Sequence, residues 1–241
     1  MSLKSAKLIL PKVFGALPSA ESVVDFGPGA GDWIIAASEL GVADENLKCY
    51  GLPEEVKIPE DLLWRLGDVQ AAALQEIIDA KAARINKWFG EADLNAEKSI
   101  ITERKYDLAV CLEVAEHLQP ESAENLIATL TGASDFVLFS AAVPYQWGEG
   151  HVNIRWPSYW SGLFEAAGYK AADFLRYQFW DTPQDEVEVH YKQNMVLYAK
   201  KERYKELKLP EFDYSNVLNL AHPYLYCTIH GESYGDPNRK Y

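Results

Sequence analysis

A mostly parallel α/β sheet covered by helices on both faces is the architecture this sequence predicts, and three observations carry it. Short apolar runs at 22–26, 47–52, 106–112 and 136–142 alternate with segments of helical periodicity. A bend rich in glycine, Gly27-Pro28-Gly29-Ala30-Gly31, joins the first apolar run to the helical segment after it. Two further strand candidates, 171–177 and 187–199, lie close together late in the chain and predict an antiparallel finish.

The elements follow in order. Leu3, Ala6, Leu8, Ile9, Val13 and Phe14 have helical spacing over 3–16, with a break or kink expected at Pro11. A linker at 17–20 leads to the first strand, 22–26. Residues 32–40 form a helix that Gly41 ends in the left-handed conformation. The second strand, 47–52, is closed by Pro53, and 62–66 is a short third strand followed by Gly67-Asp68. Ala71, Ala72, Ala73, Leu74, Ile77, Ile78 and Ala82 give one face of a helix over 69–88, and 89–104 is polar and mixed. The span is longer than a simple connection needs, so a helical insertion is expected around 69–104. After the fourth strand come a turn at 115–118, a helix at 122–131 and the fifth strand. A long loop, 144–157, precedes a helix at 158–167 that Gly168 ends. Ser158 is expected to cap this helix, with Pro157 just outside it. Residues 202–241 read as a tail with little regular structure.

The 241 residues are read as one domain, 1–241, and the apolar share of 48% is that of a globular chain. The formal net charge of -13 disfavours nucleic acid as a partner. No apolar run has the length of a membrane span. Lys4, Lys7, Pro11 and Lys12 interrupt the start too often for a signal peptide, so a cytoplasmic protein is expected. Cys49, Cys111 and Cys227 are odd in number and far apart, neither a disulfide framework nor a metal-ligand pattern. Oligomeric state is not legible.

In the glycine bend, Gly27 turns the chain, Gly29 lets a ligand approach the backbone, and Gly31 lets the helix pack closely on the strand. The helix N-terminus behind them offers free N–H groups. A plain strand-to-helix turn is the alternative. The third glycine arrives one residue too early for the dinucleotide fingerprint G-x-G-x-x-G, and no Gly-Lys-Ser/Thr follows as in a P-loop. Asp25 sits in an otherwise apolar strand, where a carboxylate is costly to bury without a hydrogen bond. Loop N–H groups, water or a ligand ammonium could satisfy it.

Asp25 to Gly31, DFGPGAG, resembles the first motif of class I S-adenosylmethionine-dependent methyltransferases. Tyr106 to Leu118, YDLAVCLEVAEHL, resembles their fourth-strand motif, above all in the small-molecule branch. His151 to Tyr169, HVNIRWPSYWSGLFEAAGY, is similar to a segment after the fifth strand in one set of bacterial members. The resemblance implies a three-layer Rossmann-like fold, a mostly parallel seven-stranded sheet with an antiparallel last strand, S-adenosyl-L-methionine as cofactor, and methyl transfer to a small or medium-sized molecule. It places Asp25, Gly27, Pro28, Gly29 and Gly31 around the methionine moiety, Asp68 and Val69 at the adenine, and Leu112 and Glu113 near the sulfonium and the mouth of the substrate pocket. The family's ribose-binding acid falls on Leu52, which cannot accept a hydrogen bond; Glu54 and Glu55 follow it.

Candidate catalytic residues are Glu113, His117 and His151. Glu113 and His117 share a face if their segment is helical, and either could serve as general base. The alternative is that Glu116 and His117 brace the next helix. With two ligands at most in this stretch, no metal is expected. His151 lies in the long loop, where Gly148 and Gly150 give it freedom to move and Asn153 and Arg155 could orient a polar substrate. Tyr145, Trp147, Trp156, Tyr159 and Trp160 either enclose an apolar substrate or pack the loop onto the sheet. His190 reads as a surface strand residue, and His222 and His230 belong to the tail. Two other functions compete: a non-catalytic binding protein on the same fold, and a nicotinamide-dependent oxidoreductase, which the glycine spacing and Leu52 oppose.

Overall fold

The computed structural model describes residues 2–52, 68–146, 148–209 and 213–225. Its strands are β1 (Val23–Phe26), β2 (Leu47–Gly51), β3 (Phe89–Glu91), β4 (Leu108–Leu112), β5 (Phe136–Ser140), β6 (Tyr169–Ala172) and β7 (Val196–Lys200). Its helices are α1 (Ser2–Ala16), α2 (Asp32–Glu39), α3 (Asp68–Ile85), α4 (Ala123–Ala133), α5 (Pro157–Ala166), α6 (Phe174–Phe179) and α7 (Val189–Asn194). The strands form one seven-stranded sheet in the order β3-β2-β1-β4-β5-β7-β6. Only β7 runs against its neighbours, β5 and β6. This is the three-layer, mostly parallel Rossmann-like sheet with a reversed last strand that the sequence predicts.

Strand periodicity sorts the core into two layers. Val23, Leu108, Val110, Phe136, Leu138, Leu197 and Ala199 face one way and pack with α1 and α2. Val24, Phe26, Ala109, Cys111, Val137, Phe139, Val196 and Tyr198 face the other and pack with α4 and α5. The central strands are buried at every position, so they read as continuous apolar runs. Cys49 and Cys111 are free and buried.

Several elements depart from expectation. Helix α1 runs unbroken through Pro11, whose side chain is exposed, while Ala6, Ile9, Leu10 and Val13 anchor the opposite face in the core. Packing of that face outweighs the one backbone hydrogen bond that proline removes. The expected strand at 62–66 lies outside the described residues. The strand that pairs in parallel with β2 is Phe89–Glu91, within the span read as an insertion. Asp68 and Val69 lie in α3.

The expected strand at 171–177 ends at Ala172 and gives way to α6. Residues 189–194 of the expected last strand are helical, so His190 lies on α7 and not on a strand. The alternation there is misleading because its polar members turn inward. Lys192 Nζ donates to the Thr182 carbonyl at 2.6 Å, and Gln193 Oε1 accepts from the His222 N–H at 2.6 Å. Pro157 is inside α5, at its first turn, and Ser158 does not cap it. The cap comes from the tail: Asn219 Oδ1 accepts from the Ser158 N–H at 3.1 Å, and Asn219 Nδ2 donates to Ser158 Oγ at 3.0 Å.

Candidate functional site

A cavity of about 450 Å³ opens at the carboxyl ends of β1, β2, β3 and β4. Ligands of open α/β sheets bind at this edge. Gly27, Pro28 and Gly29 form one wall. Gly51 and Leu52 close it at the end of β2, Asp93, Leu94 and Asn95 at the end of β3, and Glu113, Val114 and His117 at the end of β4.

The bend is built for bare backbone. Gly27 and Gly31 both have φ of 77°, a region where a side chain is strained. A Cβ on Gly27 would lie 2.5 Å from Val114 Cγ2, and one on Gly31 would lie 2.3 Å from Ile85 Cγ2. The close approach at Gly31 is thus to α3, whereas the sequence reading placed it against the strand. Gly29 has open space where its Cβ would be, on the cavity wall. The Gly31 N–H donates to the Pro28 carbonyl at 2.8 Å and closes the bend. An ion pair of 2.6 Å between Lys81 and Asp32 clamps α3 to the start of α2.

The expected cofactor residues divide into three groups. Gly27, Pro28 and Gly29 line the cavity. Asp25, Gly31 and Leu112 do not line it, and Asp25 and Leu112 are buried. Asp25 is 3% exposed, its Oδ2 has no hydrogen-bond partner, and burial pushes its carboxyl up to about 7. Asp68 and Val69 belong to α3, and the residues that follow the third strand are Asp93 and Leu94. Asp93 Oδ1 accepts from the Asn95 N–H at 2.8 Å, and Asn95 Oδ1 accepts from the Gln119 N–H at 2.8 Å. These bonds tie the loop after β3 to the turn after β4. Leu52 is 53% exposed on the cavity rim, and Glu54 and Glu55 lie outside the described residues.

Of the three expected catalytic residues, Glu113 and His117 line the cavity and His151 packs on His117. Residues 113–118 form a turn, so Glu113 and His117 both reach the cavity without sharing a helical face. Glu113 has φ of 54° and Tyr145 has φ of 76°, unusual values for side-chain-bearing residues, just beyond β4 and β5. Such backbone costs about 1–3 kcal/mol per residue and collects at functional sites. Gln146 Nε2 donates to Glu113 Oε2 at 2.8 Å, and Asn194 Nδ2 donates to Glu113 Oε1 at 3.1 Å. The Glu113 carboxylate is therefore a fixed acceptor joining three elements.

His117 and His151 stack edge to face with ring centroids 4.7 Å apart. The loop glycines make room for them: a Cβ on Gly148 would lie 2.4 Å from His151 Nε2, and one on Gly150 would lie 3.3 Å from His117 Nδ1. The Val152 and Asn153 N–H groups donate to the Glu116 carbonyl at 2.8 and 2.9 Å. Asn153 is thereby structural, and Arg155 lies over the Tyr159 ring. Trp160 packs against Phe139 on the sheet, while Tyr145 is exposed; Trp147 lies outside the described residues. Glu116 is 1% exposed, and burial followed by the nearby Glu113 charge raises its carboxyl to about 8. The amides of Glu116 and Ala142 offset part of that rise without completing a hydrogen bond.

The sequence reading missed Asp93, Leu94 and Asn95, because Phe89-Gly90-Glu91 lacks the β-branched residues of a strand. It also missed Gln146 and Asn194, whose roles depend on contacts distant in the chain.

The strand order with its reversed β7, and the cavity above the first bend, decide the architecture. The fold is a three-layer, Rossmann-like α/β fold with one reversed strand in its seven-stranded sheet. No family model and no curated protein matches the chain. Among solved structures it is similar to Streptomyces venezuelae DesVI, at 15% identity over 62% of this chain and 55% of that one, with a TM-score of 0.40. It is also similar to the magnesium protoporphyrin IX methyltransferase of Synechocystis, at 17% identity over 80% and 78% of the two chains, TM-score 0.45. A TehB-like SAM-dependent methyltransferase of Corynebacterium glutamicum gives 15% identity over 82% and 88%, TM-score 0.44. The matched region spans little more than half the length of DesVI. Among the described residues no helix is long and apolar enough to cross a membrane.

Proposed function

We propose that this protein transfers a methyl group from S-adenosyl-L-methionine to a small or medium-sized molecule. The observation that carries the reading is the bare backbone of Gly27 and Gly29 on the wall of a cavity that Glu113 and His117 also line. Bare backbone there suits the amino-acid-bearing part of the cofactor. Asp93 and Leu94, after β3, take the adenine-facing place expected of Asp68 and Val69. Asp25 supports the bend from beneath, and Leu112 backs the sulfonium end. The cofactor supplies an activated methyl group, so the protein's task is to align an acceptor and exclude water. Glu113, His117 and His151 form the polar head of the acceptor end. A small molecule is the expected partner, since a net charge of -13 opposes nucleic acid.

Titration calorimetry with S-adenosylmethionine and with its demethylated product tests the reading. We expect saturable binding of both, and absence of binding at millimolar concentration overturns it. Leu52, apolar where a ribose-binding acid is expected, favours a second reading, a protein that binds the cofactor without turning it over. A methylated product from a pool of small metabolites decides between the two.

A further inference from the structure

Glu116, His117 and His151 each present a ligand-type atom, and these atoms lie within 4.8 Å of one another. The carboxylate at this cluster is buried, with neither oxygen hydrogen-bonded. A buried carboxylate with two idle oxygens is costly unless a cation or proton sits beside it. His151 is prepared as a ligand. Its Nδ1 is 2.9 Å from the Gln146 carbonyl, which can only accept, so Nδ1 carries the proton and Nε2 keeps its lone pair. Metal-binding histidines are commonly oriented by such a bond from the second ring nitrogen to a backbone carbonyl. A Cβ on Gly148 would lie 2.4 Å from Nε2, so only a glycine lets the loop backbone pass this close to the ring. The loop that brings His151 here is pinned by the Val152 and Asn153 N–H groups to the Glu116 carbonyl, so the three ligands are held in register by backbone.

We propose that Glu116, His117 and His151 bind one divalent first-row transition ion beside the cavity. Two imidazoles and one carboxylate suit manganese, iron, cobalt, nickel or zinc better than magnesium or calcium, which prefer all-oxygen ligand sets. Three protein ligands leave coordination positions open, and His117 lies on the cavity wall. The open positions take an oxygen donor, such as a hydroxyl or carboxylate of a small molecule in the cavity. The sequence reading counted two ligands at most in this stretch. The third arrives from a loop 34 residues further on, after β5, which local spacing does not reveal.

The test uses the full chain stripped with a chelator and titrated with Co²⁺ by visible absorption and with Zn²⁺ by calorimetry. We expect one equivalent of either ion at micromolar affinity, with the Co²⁺ bands of a nitrogen- and oxygen-ligated site, and much weaker binding of Mg²⁺. Glu116→Gln and His151→Ala should each weaken binding by more than about 100-fold, beyond the loss typical of a supporting partner. The ion should raise the melting temperature of the parent protein and leave that of both variants unmoved. His151 is on a surface loop, so its variant remains informative if Glu116→Gln fails to fold. No binding below millimolar Co²⁺, or equal affinity in parent and variants, overturns the proposal. Titrating the demethylated cofactor in the same samples separates this outcome from failure of the methyltransferase reading.

Discussion

Asp25 shows how one residue sets a property of the whole chain. Burial raises its carboxyl from 3.8 to about 7, so between those values the folded state holds a proton that the unfolded state has released. Stability therefore falls as pH rises through that window, by up to roughly 1.4 kcal/mol per pH unit for each such group. Glu116, raised from 4.5 to about 8, adds the same sign over a partly overlapping range. We expect the melting temperature, measured with chelator present, to drop from pH 5 to pH 8. In Asp25→Asn the drop should be shallower, with the gain over the parent largest at pH 8. Parallel curves for the two proteins would show that Asp25 is ionised in the folded state.

Among the elements, α5 shows that a helix can depend on chain far away in sequence. Its start has no cap from its own residues, and Asn219 supplies one from 61 residues onward. Asn219→Ala should cost about 1 kcal/mol. That corresponds to a fall of about 2–4 °C in melting temperature for a chain of this size. Amide exchange at Ser158 should quicken in the same variant. An unchanged melt with unchanged exchange would mean that the tail contributes nothing to this helix.

Across the whole molecule, the tail is fastened through a buried pair. Arg176 bonds to both oxygens of Asp173 and also donates to the carbonyls of Gln193 and Leu218. Both side chains are at most 2% exposed, and burial raises the Asp173 carboxyl although Arg176 pulls it back. Removing one member leaves a buried charge alone, so Arg176→Met should destabilise by about 3–5 kcal/mol, and replacing Asp173 as well, by Leu, should recover much of that. Equilibrium unfolding in urea measures both. The consequence reaches the cavity: His222 bonds to Gln193, Gln193 Nε2 donates to Asn194, and Asn194 holds Glu113. Limited proteolysis of Arg176→Met should cut within 213–225 sooner than in the parent.

The apolar runs at β1, β4 and β5, the alternation at β2 and the glycine bend were legible from sequence, because burial on both faces or on one, and a need for bare backbone, leave local signatures. Residues 89–91 and 189–194 were not. The first strand is too short and interrupted by Gly90 to carry a period, and the polar residues of the second segment are spent on tertiary hydrogen bonds. The same division holds at the site. Gly27 and Gly29 announce themselves by their alternation within five residues of chain. The meeting of Glu116 with His117 and His151, and the clamp of Gln146 and Asn194 on Glu113, exist only because β4 and β5 bring their carboxyl ends, and the antiparallel β7 its amino end, to one edge of the sheet.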